Sequence, residues 1–306
     1  MMPFRHVAII GLGLLGGSIG LAVQQHLPGV RTSGFDLDPA TRARARERGL
    51  VAEVPETAAE AVAEADLVIF CVPVGAMGAA AASVAGALAP DALVSDVGSS
   101  KQTVMRELTQ ALPGIDVIPA HPVAGTEHSG PDAGFAALFR KRWCIITPPA
   151  EASLAKLDAL SRFWEAIGAT VEIMTPEHHD LVLAVTSHLP HLIAYTIVGT
   201  ASDLEEVTRS EVIKYSAGGF RDFTRIAASD PTMWRDVFLS NRDAVLEMLQ
   251  RFTEDLTELQ KAIRKGDGEM LFDQFTRTRA IRRSIIAEGQ DDARPDFGRG
   301  DHQNDA

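Results

Sequence analysis

The 306-residue chain is 46% hydrophobic and 23% charged, a globular composition with room for two domains at roughly 100–200 residues each; wholesale disorder, collagen-like repeats and a small disulfide scaffold are excluded. A formal net charge of −12, from 29 Lys+Arg against 41 Asp+Glu, opposes binding to nucleic-acid phosphates. Cys71 in LVIFCVP and Cys144 in WCIITP lie in apolar runs without ligand spacing, as small buried hydrophobes of a cytoplasmic protein do.

No basic-then-apolar leader precedes Arg5, and charge or glycine interrupts the apolar stretches short of twenty residues, so neither export nor a membrane span is expected. From His6 to Pro149 short β-branched runs alternate with helical stretches. HVAII leads into a glycine turn and helix, then come RTSGF, a basic helix, DLVIFCVP, an alanine-rich helix, ALVSDV, a further helix, DVIPA and WCIITP. Strands separated by helices of this length predict βαβ units, and HVAII and DLVIF are apolar throughout, as strands covered on both faces must be. The expected fold class is α/β, a Rossmann-type doubly wound parallel sheet.

A helix over Leu154–Ile167 and a strand over Thr170–Met174 close this half at Thr175-Pro176, an N-cap followed by proline in the first helical turn. Beyond it the pattern is all helical. Within Val237–Ile263 the positions Val245, Leu249, Phe252, Leu256, Leu259 and Ile263 step by 4, 3, 4, 3, 4, the seam of one long helix. Gly266 ends that helix, and a second seam (Leu271, Phe275, Thr278, Ile281, Ile285) runs to Gly289. Two such helices carry more apolar stripe than one subunit covers, which predicts a homodimer through the helical part. The expected division is a dinucleotide-binding domain at 1–175, a helical substrate and dimerisation domain at 176–288, and a disordered acidic tail at 289–306; Glu288 to Ala306 carries six acids and two arginines.

Gly11-Leu12-Gly13-Leu14-Leu15-Gly16 stands directly after the first strand and opens a helix, the context in which this spacing signals dinucleotide binding. Gly11 permits the tight turn, Gly13 admits a pyrophosphate, and Gly16 lets helix and strand pack closely, so that Leu14, Leu15 and Gly16 present the helix N-terminus to the phosphates. Asp36 lies 20 residues after Gly16, at the end of the second strand, placed to accept from the ribose hydroxyls and to repel a 2′-phosphate, which favours NAD over NADP. Arg42, Arg44 and Arg46 argue the other way if one folds back to the ribose; otherwise they are a solvated helix face. Val72-Pro73 follows the DLVIF strand at the cofactor crevice.

Two further strand ends carry polar clusters, Asp96-Val97-Gly98-Ser99-Ser100-Lys101 and His121 to Gly130. Hydride removal from a carbinol needs a group that takes the hydroxyl proton. His121 is the candidate base, the alternative being a histidine that caps its loop, and Ser99 is placed to bond the same hydroxyl or orient the imidazole. Asp180, Ala184, Ser187 and His191 share a helical face on which Pro190 forces a bend near Thr186 and Ser187. His188 and His191 lack further ligands for a metal, and His178 and His179 point apart on a helix; no metal is expected. Gly218-Gly219 reads as a turn, followed by Arg221 and Arg225, either of which presents the fork that matches a carboxylate.

The blocks GLGLLGGS, DVGSSK, HPVAGTEHSGP, SHLPH and GGFRDFTRIAASDPTMWRD, in that order, resemble the prephenate/arogenate (cyclohexadienyl) dehydrogenase family of tyrosine biosynthesis from about Arg5 to Glu288. The resemblance implies a Rossmann domain followed by an all-α dimerisation domain, similar to the 6-phosphogluconate dehydrogenase superfamily, and NAD-dependent oxidative decarboxylation of prephenate or arogenate. It implies that His121 deprotonates the ring hydroxyl with Ser99 beside it, that Arg225 binds the ring carboxylate and that His191 faces the substrate side chain. Glu127, Asp222 and Trp234 match positions that line or gate the site. Two other readings share part of the pattern. A β-hydroxyacid dehydrogenase or imine reductase would want a lysine where the interdomain helix has His188 and His191, and a non-catalytic dinucleotide sensor would lack the base or the carboxylate clamp.

Overall fold

The structure, a computed structural model, describes residues 3–125, 128–203 and 218–287, with side chains to residue 284. Glu127 and the tail expected at 289–306 lie outside the described residues. In chain order the first elements are β1 (His6–Ile10), α1 (Leu14–His26), β2 (Arg31–Phe35), α2 (Pro39–Arg48), α3 (Ala58–Val62) and β3 (Leu67–Phe70). They are followed by α4 (Met77–Val84), β4 (Leu93–Asp96), α5 (Gln102–Ala111) and β5 (Asp116–Val117). These strands form one parallel sheet in the order β2-β1-β3-β4-β5. Because side chains alternate across a strand, Val7, Ile9, Leu67 and Ile69 enter one buried apolar cluster with Ile19 and Val23 of α1. Ala8, Ile10, Val68 and Phe70 enter another with Met77 of α4 and Val104 and Leu108 of α5. Both faces are covered, which is why Val7–Ile10 and Leu67–Phe70 carry no polar residue.

The sheet does not continue through DVIPA and WCIITP as one surface. β5 is two residues long, and after Ile118-Pro119 the chain starts a second sheet of β6 (Ala120–Pro122), β7 (Trp143–Ile146) and β8 (Thr170–Ile173). In it β6 runs antiparallel and β8 parallel to β7, with α6 (Leu154–Ala166) between β7 and β8. His121 is therefore not at the end of a parallel strand; it sits inside β6, opposite Ile145.

α7 (Pro176–Leu183) begins as expected, with the Thr175 hydroxyl accepting the N–H of His178 and Pro176 in the first turn. A π turn at Ala184–His188 joins it to α8 (Leu189–Ser202). Pro190 has no N–H to donate, and Ser187, three residues before it, gives its carbonyl to the His191 ring, Nδ1 to O 2.8 Å. The stretch 176–202 is long and apolar enough to cross a membrane by length and composition, with a mean hydropathy of 1.6 over its best window. That departs from the expectation that no apolar stretch reaches this length, because the charged and histidine residues of 176–202 are few and all lie at or before His191. The same stretch carries buried His179, Asp180 and His188, whose bonds to the sheet half are given below.

α9 (Gly218–Thr224) starts at the first described residue after 203. Gly218 and Gly219 lie inside it, and neither has a positive φ, so they do not form the expected turn. The long helix expected from Val237 is two helices, α10 (Pro231–Ser240) and α11 (Arg242–Lys265). Asn241 breaks them at φ −106°, ψ 34° and buries its side chain. α12 (Gly268–Ala287) follows Gly266, at φ +69°. The chain divides into two compact units, 1–248 and 249–306, with the division inside α11. In the second unit Leu256, Ile263, Phe272, Phe275 and Ile281 are exposed.

Candidate active site

At the carboxyl ends of β1 and β2 the glycines have separate physical reasons. Gly11 has φ +101°, and a Cβ there would come within 2.5 Å of the Cys71 carbonyl oxygen; one on Gly16 would meet the Gly11 oxygen at 1.9 Å. Gly13, by contrast, caps α1 with no side-chain bond, and a Cβ on it would meet nothing within 4 Å. The turn thus leaves an open cradle over the N-terminus of a 13-residue helix, with Leu14, Leu15 and Gly16 in its first turn, the arrangement that holds a phosphate. Val72 packs beside Gly11, and Pro73 follows it on the exposed rim.

Asp36 directly follows β2, and its carboxylate accepts the N–H of Leu12 at 2.9 Å and of Asp38 at 3.0 Å. These bonds pin it beside the glycine turn, where ribose hydroxyls would reach it. Of the three arginines, only Arg42 folds back. Its guanidinium donates to the Asp36 and Leu37 carbonyls and lies 5.1 Å from the Phe35 ring centre. Arg44 is taken by Glu47 and Asp132, and Arg46 by Glu56 and the Val54 carbonyl. Glycine cradle and carboxylate together fit a dinucleotide.

Deeper in, Asp96 at the end of β4 and Lys101 form a fully buried ion pair, Nζ to Oδ2 2.5 Å. Asp96 also accepts the N–H of Gly98 at 2.6 Å and of Ala120 at 3.3 Å, and Lys101 donates to the Ala120 carbonyl at 2.7 Å. The pair therefore ties the Ser99 loop to the strand that carries His121. Burial pushes the Lys101 ammonium down and the Asp96 carboxyl up from their ordinary values, against the mutual attraction of the two.

The N-terminus of α5 has no cap of its own. Asp180 of α7 supplies one, accepting Lys101 N–H at 2.7 Å on one oxygen and Gln102 N–H at 3.0 Å on the other. The oxygen that receives Lys101 also lies 2.9 Å from His179 Nδ1, and His179 Nε2 lies 2.9 Å from His121 Nδ1. Asp180, His179 and His121 thus form one buried hydrogen-bonded series. His178, next in sequence, is exposed. The break residue Asn241 donates to the Asp180 carbonyl at 2.7 Å and lies 3.1 Å from His188 Nδ1.

His188 leads towards the remaining predicted residues. Its Nε2 is buried without a full hydrogen bond, on the side of the Ser99 backbone. Trp234 stands edge-on to His188 and stacks on His191 at 3.6 Å between ring centres; the Trp234 Nε1 is also buried and unbonded among the described residues. The Arg225 charge adds to burial in lowering the His191 ring. His191, Trp234 and His188 accordingly form one ring cluster, joined to His121 through Asn241, Asp180 and His179; Ser99 is half-buried on the loop that Lys101 anchors. Asp222 is not part of the cluster: it is exposed and faces Arg221 at 3.4 Å.

Burial, followed by the charges of His179, Lys101 and His188, holds the His121 ring well below its ordinary value of 6.5. Burial likewise lowers His179, against the bond to Asp180, and brings His188 to about 4. His191 is lowered by burial and by Arg225, against its bond to Ser187. Burial alone would raise Asp180, but the His179 ring and the N–H groups of Gln102 and Lys101 outweigh it and lower its value. At neutral pH these rings are a set of neutral imidazoles around one ionised, capped carboxylate.

Sequence reasoning passed over His179, because adjacent histidines on a helix point apart and nothing local says which one turns inward. The available signal was Asp180 beside it, already placed on one helical face with Ala184, Ser187 and His191. Asn241 and the Asp96–Lys101 pair were missed because each acts through partners distant in sequence.

The model of the prephenate dehydrogenase nucleotide-binding domain matches residues 19–173, and that of the prephenate dehydrogenase dimerization domain matches 175–277. The chain is 45% identical to the cyclohexadienyl dehydrogenase of Zymomonas mobilis over 93% of its own length and 97% of the relative's. It is 33% identical to the prephenate dehydrogenase of Bacillus subtilis over 88% and 73%. Among solved structures, Aquifex aeolicus prephenate dehydrogenase in complex with hydroxyphenyl propionate and NAD+ superposes with a TM-score of 0.85 at 32% identity, covering 92% of this chain and 98% of that one. Synechocystis arogenate dehydrogenase gives 0.78 at 25%, covering 92% and 99%. The glycine cradle, the carboxylate after β2 and the buried histidines are thus those of an oxidoreductase, and the chain belongs to the prephenate dehydrogenase family.

Proposed function

We propose that the protein catalyses the NAD-dependent oxidative decarboxylation of prephenate, arogenate or both, giving 4-hydroxyphenylpyruvate or tyrosine. Residues 1–175 would carry the dinucleotide and 176–288 the substrate side. What carries this reading is His121, a buried imidazole held well below its ordinary value and hydrogen-bonded to His179. Bound NAD+ supplies the hydride acceptor for the carbon bearing the ring hydroxyl, and departure of the ring carboxylate as CO2 leaves an aromatic phenol.

His121 takes the hydroxyl proton, holds it while the ring aromatises, and returns it to the phenolate oxygen, so no net proton is released at that atom. Ser99 donates to the same oxygen. Arg225 holds the ring carboxylate with its planar fork, and burial together with the Arg225 charge keeps His191 neutral. His191, braced by Trp234 and the Ser187 carbonyl, faces the side chain of the substrate, and the unbonded Nε1 of Trp234 is a donor available to it. Gly11, Gly13, Leu14, Leu15, Gly16, Val72 and Pro73 cradle the dinucleotide, and Asp36 reads its ribose. Glu127 matches a family position that lines or gates the site. Purified protein given NAD+ and either prephenate or arogenate is expected to form NADH with at least one of them, and with NAD+ at a higher kcat/KM than NADP+. NADH from neither substrate, with NAD+ still bound, would remove the reading.

The protein acts, in this reading, as a homodimer through the helical part. The support is the exposed apolar row on α11 and α12 and the dimerization-domain match over 175–277, since uncovered rows of this size are found where another chain packs. Sedimentation equilibrium is expected to give twice the single-chain mass; a single-chain mass at micromolar concentration would contradict it.

A further inference from the structure

We propose that His179, held by Asp180, is the positioning residue that sets which nitrogen of His121 is free to take the substrate proton. The inference rests on the function proposed above and concerns the same site. Asp180 receives the Lys101 and Gln102 N–H groups at the uncapped start of α5, at 2.7 and 3.0 Å. A carboxylate that caps a helix N-terminus is in its ionised form, an acceptor only. His179 Nδ1, 2.9 Å from that carboxylate, must therefore be the protonated nitrogen, and in a neutral ring its Nε2 is then an acceptor. His121 Nδ1, 2.9 Å from His179 Nε2, must in turn donate. The remaining nitrogen of His121, Nε2, carries the bare lone pair.

The alternative, a doubly protonated His179, would place a second cation in a fully buried position beside Lys101. The groups facing the two rings are Asp180 on α7, Asp96 at the end of β4, Lys101 at the start of α5, and His188 in the π turn. Of these only Asp180 bonds directly to His179, so the series has one anchoring anion and one direction. When His121 receives the hydroxyl proton on Nε2, its Nδ1–H remains on His179, and the new positive charge lies one ring away from Asp180. The same carboxylate thus fixes the resting tautomer and favours the charged state of the base.

The test begins without substrate. With selective 15N-histidine labelling, two-bond 1H–15N correlation distinguishes protonated from bare ring nitrogens, and the His121 signals are assigned with a His121→Asn variant. Wild-type protein at neutral pH is expected to show His121 with Nδ1 protonated and Nε2 bare; the reverse tautomer would overturn the proposal. His179→Leu keeps bulk but offers no acceptor, and is expected to lower kcat by about 10–100-fold, the usual cost of removing an orienting partner, with KM little changed and the His121 tautomer redistributed.

His179→Gln, whose Oε1 can stand where Nε2 stood, is expected to recover much of that loss, which a purely structural role would not produce. Wild-type turnover by folded His179→Leu would also overturn the proposal. If His179→Leu does not fold, the wild-type tautomer and the His179→Gln rate decide. If the protein oxidises neither prephenate nor arogenate, the function fails while the tautomer measurement on the ligand-free protein still stands on its own.

Discussion

His121→Asn is expected to lower kcat on the preferred cyclohexadienol by about 10²–10⁴-fold, the usual cost of losing a general base. Asparagine keeps a polar group near His179 but cannot accept a proton at neutral pH, so the step that moves the hydroxyl proton loses its acceptor. Cofactor binding should be unaffected, because the glycine turn and Asp36 lie on the other sheet. The pH profile gives a second, independent reading. The active form is the neutral ring, and burial and neighbouring charge hold His121 well below 6.5; activity is therefore lost only as pH falls through that lowered value. The acid limb of kcat/KM should lie below pH 6.5 and disappear in the variant. A limb centred at or above 6.5, or a variant within threefold of wild type, would exclude His121 as the base.

Lys101→Met is expected to destabilise the fold by about 3–5 kcal/mol, the range for breaking a buried ion pair by removing one partner. Both side chains are fully buried. Without Lys101 the Asp96 carboxylate would keep only the Gly98 and Ala120 N–H groups, and the Ala120 carbonyl would lose its side-chain donor. The double replacement Asp96→Leu with Lys101→Met should recover a large part of the loss, since an apolar pair carries no stranded charge. Urea unfolding of the three variants checks this through the shift in midpoint. A single variant within 1 kcal/mol of wild type would show that the pair is not an anchor between the Ser99 loop and β6.

How far the sequence could be read follows from the range of the forces involved. The turn at Gly11, Gly13 and Gly16 was legible because its spacing is local: Gly16 answers to Gly11 five residues before it and Gly11 to the strand end beside it, while Gly13 leaves the helix start open. The start of α7 was legible because Thr175 and Pro176 act within one turn. The apolar runs of β1 and β3 announced a sheet covered on both faces. The second sheet was not legible, since only Ile118 and Pro119 separate β5 from β6, and nothing in two residues announces that the chain leaves one sheet for another. The break at Asn241 was hidden by an apolar seam that continues across it; its cause is tertiary, the bond to the Asp180 carbonyl. In the site, His121, Ser99, His191, Arg225 and Trp234 came from motif and resemblance; the rings of His191 and Trp234 stack, and a series of bonds leads from them to His121. The role of His179 depends on a strand 58 residues away, and only the folded chain brings the two rings together.

The π turn at Ala184–His188 has a consequence for how this enzyme tolerates change. A helix is a counter that advances about 100° per residue, and a π turn is an extra tick in that count. Every side chain after it, His191 and Tyr195 included, has its direction set by the tick. Removing one residue at this point, the mildest edit on paper, would reset the phase of all of α8 and swing His191 away from Trp234. A replacement at exposed Val185 leaves the count intact. Between α7 and α8, then, the chain is forgiving about what each residue is and strict about how many there are.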